Sequence, residues 1–301
     1  MSKKIVSLFL MLLLAASINI ATAESRTVTD MFGREVTLTG PVTRIVATEP
    51  SDCEILCALG CEEALVGRGT YCDHPASIQA LPAVQSGTNT NLEEILALEP
   101  QVVVMVDMAH TKEQVHLLEQ NGVPVVATNA DSIAEVYENI RLLGAVMGRE
   151  TEAEAIIADM KDTFEAIAAN SEKTDKTVYF EVMPLEWGLW SAGTGTFMHE
   201  LTELCGMRNA FEDIEGWQSI NQEQVIERDP DYIVLVTGMG DEAVDEVRNR
   251  EGWGDIEAVK NGRIYNANSY KLTRPAPRLK EAAIELYNFL NDVAAKEDPA
   301  A

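Results

Sequence analysis

Glu93 and Glu223 occupy equivalent places in a phrase that the chain writes twice. Residues 91–106 and 221–236 align without a gap, pairing Asn91 with Asn221, Glu93 with Glu223 and Pro100 with Pro230. In each copy the Asn caps a short helix, and a Glu in the first turn suits the helix dipole. The Pro ends the helix. An unbroken apolar run follows, the pattern of a strand buried on both faces of a parallel sheet. The chain therefore folds as two lobes of similar build, each presenting one carboxylate at the same point. Such a pair suits ion pairing with a partner that itself has two parts. The helix dipole alone also favours a Glu there, so the argument rests on the repeated placement.

Five cysteines offer thiol chemistry: Cys53, Cys57, Cys61, Cys72 and Cys205. Cys53, Cys57 and Cys61 share one helical face, where adjacent turns hold Cβ atoms too far apart for an easy bridge. Cys57 and Cys61 lie among Ile55, Leu56, Ala58 and Leu59 and read, with Cys205, as buried packing residues. Cys53 and Cys72 differ, because they follow consecutive strands, 44–47 and 65–67. In a parallel sheet the loops after such strands lie side by side. An exported chain meets oxidising conditions, so a Cys53–Cys72 disulfide is expected, holding the Tyr71–His74 loop in place. The loop histidines His74 and His110 have the chemistry to bind a metal directly or to ligate one inside a chelate, and simple solvation is the other reading.

The elements that must position these groups alternate. Residues 26–40 read as a hairpin around Phe32-Gly33. Strands at 44–47, 65–67, 102–106 and 124–127 alternate with helices at 51–59, 112–121 and 132–147. A second series follows, with strands at 177–183, 232–237 and 263–265 and helices at 197–204, near 241–250, and a C-terminal one opened by residues 274–278 and running to about 294. This alternation predicts an α/β fold with parallel sheets flanked by helices. Between the two series, Ala153, Ile156, Ile157, Met160, Phe164 and Ile167 recur at helical spacing without Pro or Gly. One long helix, 149–171, is expected to join a lobe of residues 24–148 to a lobe of residues 172–301.

Lys3 and Lys4 precede an apolar stretch, Ile5–Ala16, and Ala21-Thr22-Ala23 is a small-residue cleavage site, so residues 1–23 read as a signal peptide. The stretch is short for a membrane span, which needs about 20 residues. No Cys follows it, so no lipid anchor is expected, and the mature chain should be exported, soluble and not inserted in the membrane. The formal net charge of −26 makes nucleic acid and anionic lipid poor partners and favours a basic docking face. An enzyme is not expected. No Gly-x-Gly-x-x-Gly follows the first strand, no phosphate loop with Gly-Lys-Ser/Thr occurs, and no Gly-x-Ser-x-Gly elbow is present. A metal-dependent α/β enzyme stays as an alternative, as does a free zinc or manganese receptor, although four histidines with no His-rich loop give the latter little.

An ordered set of motifs is more specific. Asp30-Met31-Phe32-Gly33-Arg34, Arg44-Ile45-Val46, Glu54-Ile55-Leu56-Cys57-Ala58-Leu59-Gly60, Asn91-Leu92-Glu93 and Arg274-Pro275-Ala276-Pro277-Arg278 together resemble the substrate-binding proteins of iron-siderophore, haem and cobalamin ABC importers. The resemblance covers essentially the whole mature chain. It implies two Rossmann-like lobes joined by a single long helix, a ligand cleft between them and little closure on binding. It also implies an ABC permease dimer as partner, a monomeric receptor, no intrinsic cofactor, no catalytic residue and no resident metal site. In that family one Glu per lobe pairs with permease arginines, a role that falls here on Glu93 and Glu223.

Ligands of open α/β sheets bind beyond the carboxyl ends of the strands. Those loops hold Glu49 to Asp52, Tyr71, Asp73, His74, Asp107 to His110, Trp187, Trp190, Trp217 and Tyr270. Tyr71 resembles the Tyr before the Asp-Tyr-Pro turn of cobalamin-binding members. Trp190 and Trp217 fall where those members have cleft aromatics, and flat rings suit a large macrocycle. Gly87 stands where some members carry another Trp, and His74 where Tyr is usual. A metal chelate is the expected ligand, with a corrinoid ahead of a ferric siderophore or haem. Arg274 is placed to meet an anionic ligand group, and Arg278 to make contacts along its helix surface.

Overall fold

The unalternating apolar runs form the centres of two separate parallel sheets. The structure, a computed structural model, describes residues 25–87, 90–106, 112–240, 242–267 and 269–291. The leader reading for 1–23 and the loop with Asp107 and His110 lie outside the described residues. The first sheet has the order β5-β4-β3-β6-β7, built from β3 (Ile45–Ala47), β4 (Leu65–Gly69), β5 (Ala83–Val84), β6 (Val102–Val106) and β7 (Val125–Thr128). The second has the order β10-β8-β12-β13, from β8 (Thr177–Glu181), β10 (Arg208–Asn209), β12 (Tyr232–Leu235) and β13 (Ile264–Asn266). All pairings within these two sheets are parallel. Every residue of β3, β7 and β12 is buried, as runs covered by helices on both faces require. The expected hairpin is β1 (Ser25–Thr29) with β2 (Glu35–Thr39). Asp30 pins it, accepting from the backbone N–H groups of Phe32, Arg34 and Ala127.

Helix α5, Glu150–Asn170, connects the two series and buries Ala153, Ile157, Met160, Phe164 and Ile167. It follows α4 (Ile133–Met147), which opens on a Ser132/Glu135 capping box and closes at Gly148 in the left-handed conformation.

The repeated phrase is also a repeated conformation. Helices α2 (Leu92–Ala97) and α7 (Gln222–Arg228) are capped by Asn91 and Asn221, whose side chains accept from the Glu94 and Gln224 N–H groups at 3.3 and 2.9 Å. Each helix then runs into an acidic residue with positive φ, 48° at Glu99 and 43° at Asp229. These are the non-glycine residues with positive φ among the described residues, and they stand at matching points of the two copies. Both precede a Pro, which disfavours the right-handed helical region and so ends each helix at the same residue.

The C-terminal segment reaches back to the first lobe. Helix α11 (Leu279–Leu290) packs against α5. Arg274 and Arg278, just before it, close on Glu54 of α1 (Pro50–Ala58). Arg274 Nη1 lies 3.0 Å from Glu54 Oε1, and Arg278 Nε donates to Glu54 Oε2 at 2.8 Å. The Glu54 side chain is 2% exposed. Arg278, half-buried at the helix start, therefore anchors the segment to a buried carboxylate rather than making contacts only along its helix surface. A second seam joins the lobes at Asp131. Its carbonyl accepts from Phe197 N–H at 2.6 Å and its carboxylate from Trp217 Nε1 at 2.8 Å. Ile133 N–H donates to Glu200 at 2.6 Å.

Removing one partner of a buried ion cluster strands the others. Glu54→Ala is expected to cost about 3–5 kcal/mol, read as a lowered midpoint in urea unfolding; a loss under about 1 kcal/mol would refute that role for the cluster. With a long helix and two polar seams holding the lobes, ligand should produce only small closure. Solution scattering with and without ligand checks this, and a rotation of tens of degrees would contradict it.

Candidate functional site

In the first sheet the chain leaves β3 to build β4 on one side and later returns to build β6 on the other. The order reverses between β3 and β6, and connections leaving in opposite directions open a crevice at the carboxyl ends of those strands. A cavity of about 330 Å³ lies there, lined among others by Glu49, Thr128, Asn129, Asn139 and Arg274. In the second sheet the order reverses between β8 and β12. A larger hollow of about 590 Å³ lies against α4, α5 and the helix Phe197–Leu204, lined by Tyr137, Lys161, Phe164 and Glu200 among others. No strand end borders it, so the smaller cavity is the candidate site.

Exposed rings gather at the strand ends. Tyr71, two residues past β4, is 73% exposed, and Trp187, past β8, is 69% exposed. Tyr270, past β13, is 57% exposed and Trp190 37%. Aromatic surface of this size left facing water is of the kind a flat ligand covers. Trp190 opens β9 (Trp190–Ala192), which pairs antiparallel with β11 (Trp217–Ser219). Trp217 is less available: it packs edge-on against Phe197 with centroids 5.4 Å apart and donates to Asp131 of the first lobe. Its ring acts as a strut between the lobes.

Asp73 and Arg274 are bound to each other. Arg274 Nη1 lies 2.6 Å from Asp73 Oδ1, Nη2 donates to the Tyr71 carbonyl at 3.3 Å, and the guanidinium sits 4.7 Å from the Tyr270 ring centroid. Burial works against its charge, but the Asp73 and Glu54 carboxylates outweigh that and hold it protonated. The arginine expected to reach an anionic ligand group is thus already neutralised, and its work is to fix the Tyr71 loop. His74 is half-buried in that loop. Glu93 and Glu223 are both exposed, one beside each repeat cap.

The cysteines are free thiols, so the expected Cys53–Cys72 disulfide is not formed in this structure. Both are fully buried, and each thiol has a carbonyl acceptor, Ala47 O at 3.5 Å and Thr48 O at 3.7 Å. Contact with the Cys72 thiol, followed by burial, pushes the Cys53 thiol well above its usual pKa. The two loops do meet, as the side-by-side strands required.

The sequence puts Glu49 and Asp52 in a ligand-facing loop but carries no sign of their burial or of their partners. Asp52 is completely buried, accepting from Asn139 Nδ2 at 3.0 Å and Thr128 Oγ1 at 2.9 Å. Burial pushes its carboxyl up to about 6, against those two hydrogen bonds. Glu49 is pushed up to about 7 by burial and by Asp52. Asn139 sits mid-helix in α4, and its position carries no signal until the helix is docked. The only hint at Glu54 is an acid placed directly beside Ile55 and Leu56.

Comparison with known proteins agrees with this geometry. A profile of the periplasmic binding protein family matches residues 45–270. An uncharacterized ABC transporter substrate-binding lipoprotein, YvrC, of Bacillus subtilis is 32% identical over 278 residues, covering 90% of this chain and 87% of that protein. The vitamin B12-binding protein of Salmonella choleraesuis is 28% identical over 255 residues, covering 83% and 91%. The periplasmic heme-binding protein RhuT of Roseiflexus superposes with a TM-score of 0.75 at 25% identity, covering 83% of this chain and 98% of that one. With the two-lobe fold, the interlobe helix and the family match in place, the chain belongs to the periplasmic binding protein family.

Proposed function

We propose that this protein is the extracytoplasmic solute-binding component of an ABC importer. It captures a metal chelate between its lobes, a corrinoid ahead of a ferric siderophore or haem, and delivers it to the permease dimer. The observation that carries this reading is the set of exposed rings, Tyr71, Trp187, Trp190 and Tyr270, at strand ends of both lobes. Such rings supply large apolar area at small entropic cost to a flat, bulky ligand. The vitamin B12-binding and heme-binding relatives support the same class. A bare zinc or manganese ion fits poorly: among the described residues no three His, Cys, Asp or Glu side chains converge on one point. Export agrees with the leader-like residues 1–23, and among the described residues no helix is long and apolar enough to cross a membrane.

Tryptophan fluorescence should be quenched on titration with a chelate, since Trp187 and Trp190 are 69% and 37% exposed. Cyanocobalamin, hemin, a ferric hydroxamate and molybdate are the probes, with the visible spectrum of the loaded protein as a second readout. Tyr71→Ala combined with Trp190→Ala should weaken the bound chelate by about tenfold or more. Saturable binding of zinc or manganese with no response to any chelate would refute the reading.

Glu93 and Glu223 are assigned to docking, one per lobe. Exposed ion pairs contribute only about 0–1 kcal/mol each, so a single truncation should have a modest effect. Reversing both to Arg should abolish stimulation of the transporter ATPase while ligand affinity stays unchanged. Transport that survives the double reversal would remove the assignment.

A further inference from the structure

The cavity at the carboxyl ends of β3 and β6 is lined by first-lobe residues and by Thr273, Arg274 and Pro275, and it carries two acceptor groups, Glu49 and Asn139. Glu49 lines it directly and caps nothing, although it sits at the N-cap of α1. No ion pair to its carboxylate is present among the described residues. Asn139 also lines the cavity and is 2% exposed. Its amide is oriented by Asp52, which accepts from Nδ2, so Oδ1 is turned away from Asp52. That Oδ1 is buried and has no hydrogen-bond partner among the described residues. A buried acceptor left unmet is destabilising, and a ligand donor would relieve it. The surrounding charge has the same sense. Four carboxylates, Glu49, Asp52, Glu54 and Asp73, stand at or one contact from the cavity, against two guanidiniums, Arg274 and Arg278. Both arginines are occupied by Glu54, and Arg274 by Asp73 as well.

We infer that Glu49 and Asn139 form a subsite for a hydrogen-bond-donating arm of the ligand, a primary carboxamide, and that it selects amide-edged chelates over carboxylate-edged ones. A corrinoid ring carries carboxamide arms, and a haem carries propionates. A carboxamide gives one N–H to the Glu49 carboxylate and the other to Asn139 Oδ1. A propionate brings a second anion to a half-buried carboxylate and gives the orphan acceptor nothing, which is discrimination by repulsion as well as by attraction. Burial keeps Glu49 protonated below about pH 7, so the full selectivity belongs to the ionised form above that. The flat body of the ligand rests on the exposed rings, and Glu49 and Asn139 choose among flat ligands.

This inference rests on the chelate-receptor reading, and the test separates the two. The full exported protein is titrated with cyanocobalamin and with hemin, followed by tryptophan quenching, in buffer well above pH 7 so that Glu49 is ionised. Wild type should prefer cyanocobalamin by about tenfold or more. Glu49→Lys should weaken cyanocobalamin by a similar factor and strengthen hemin. Glu49→Gln keeps the volume and removes the charge, and should shift both ligands in those directions by less; it decides the matter if thermal unfolding shows that the Lys variant is not folded. Hemin binding to wild type as tightly as cyanocobalamin, or a preference that neither variant moves, overturns the subsite and leaves the chelate receptor standing. Failure of every chelate to bind overturns both.

Discussion

The buried carboxylate of Glu54 holds the molecule's two ends together. It sits in the first helix of the first lobe and receives Arg274 and Arg278, more than 200 residues later in the chain. Neither guanidinium is easily placed in the interior without it, and the carboxylate is equally costly without them. The cluster therefore fixes where the C-terminal segment crosses the first lobe. Through Arg274 it also fixes the loop of Tyr71 and Asp73. The cleft rim depends on an interaction that no ligand need touch.

Two consequences follow for how such a receptor works. The lobes are held by α5 and by polar seams at Glu54 and Asp131, so binding must use a cleft already shaped for its ligand. Preorganisation of this kind lowers the cost of ordering on binding. Glu93 and Glu223 sit on matching, conformationally equivalent helix starts, so the spacing between these two exposed carboxylates is set by the frame of the two lobes.

In the proposed site, selectivity divides between two kinds of surface. Exposed rings offer area and little orientation. The acceptor-rich floor offers orientation and sign. The reversal between β3 and β6 opens a crevice at their carboxyl ends. There the chain places Glu49 and, through the turn into α4, Thr128 and Asn139. Flat chelates of similar size then differ mainly in what their edges present.

Much of this was legible in the sequence. The apolar runs, the Asn caps and the unbroken amphipathic stretch are local patterns, and local patterns determine strands, helix starts and the long helix. Phe197–Leu204 was delimited to the residue, and the long helix to within one residue at each end. The repeat located Glu93 and Glu223 on the surface for the same reason. What the sequence could not decide were pairings across long separations. Arg274 and Asp73 are both charged loop residues, and only folding shows that they neutralise each other. Trp217 reads like Trp187, yet a hydrogen bond to Asp131 makes it a strut. Cys53 and Cys72 were brought together by adjacent strands, but adjacency does not make the bond. Asn139 becomes part of a site only when α4 lies against Asp52. Residue type sets what a side chain is able to do, and tertiary contact decides whether that capacity is spent on the fold or left for a ligand.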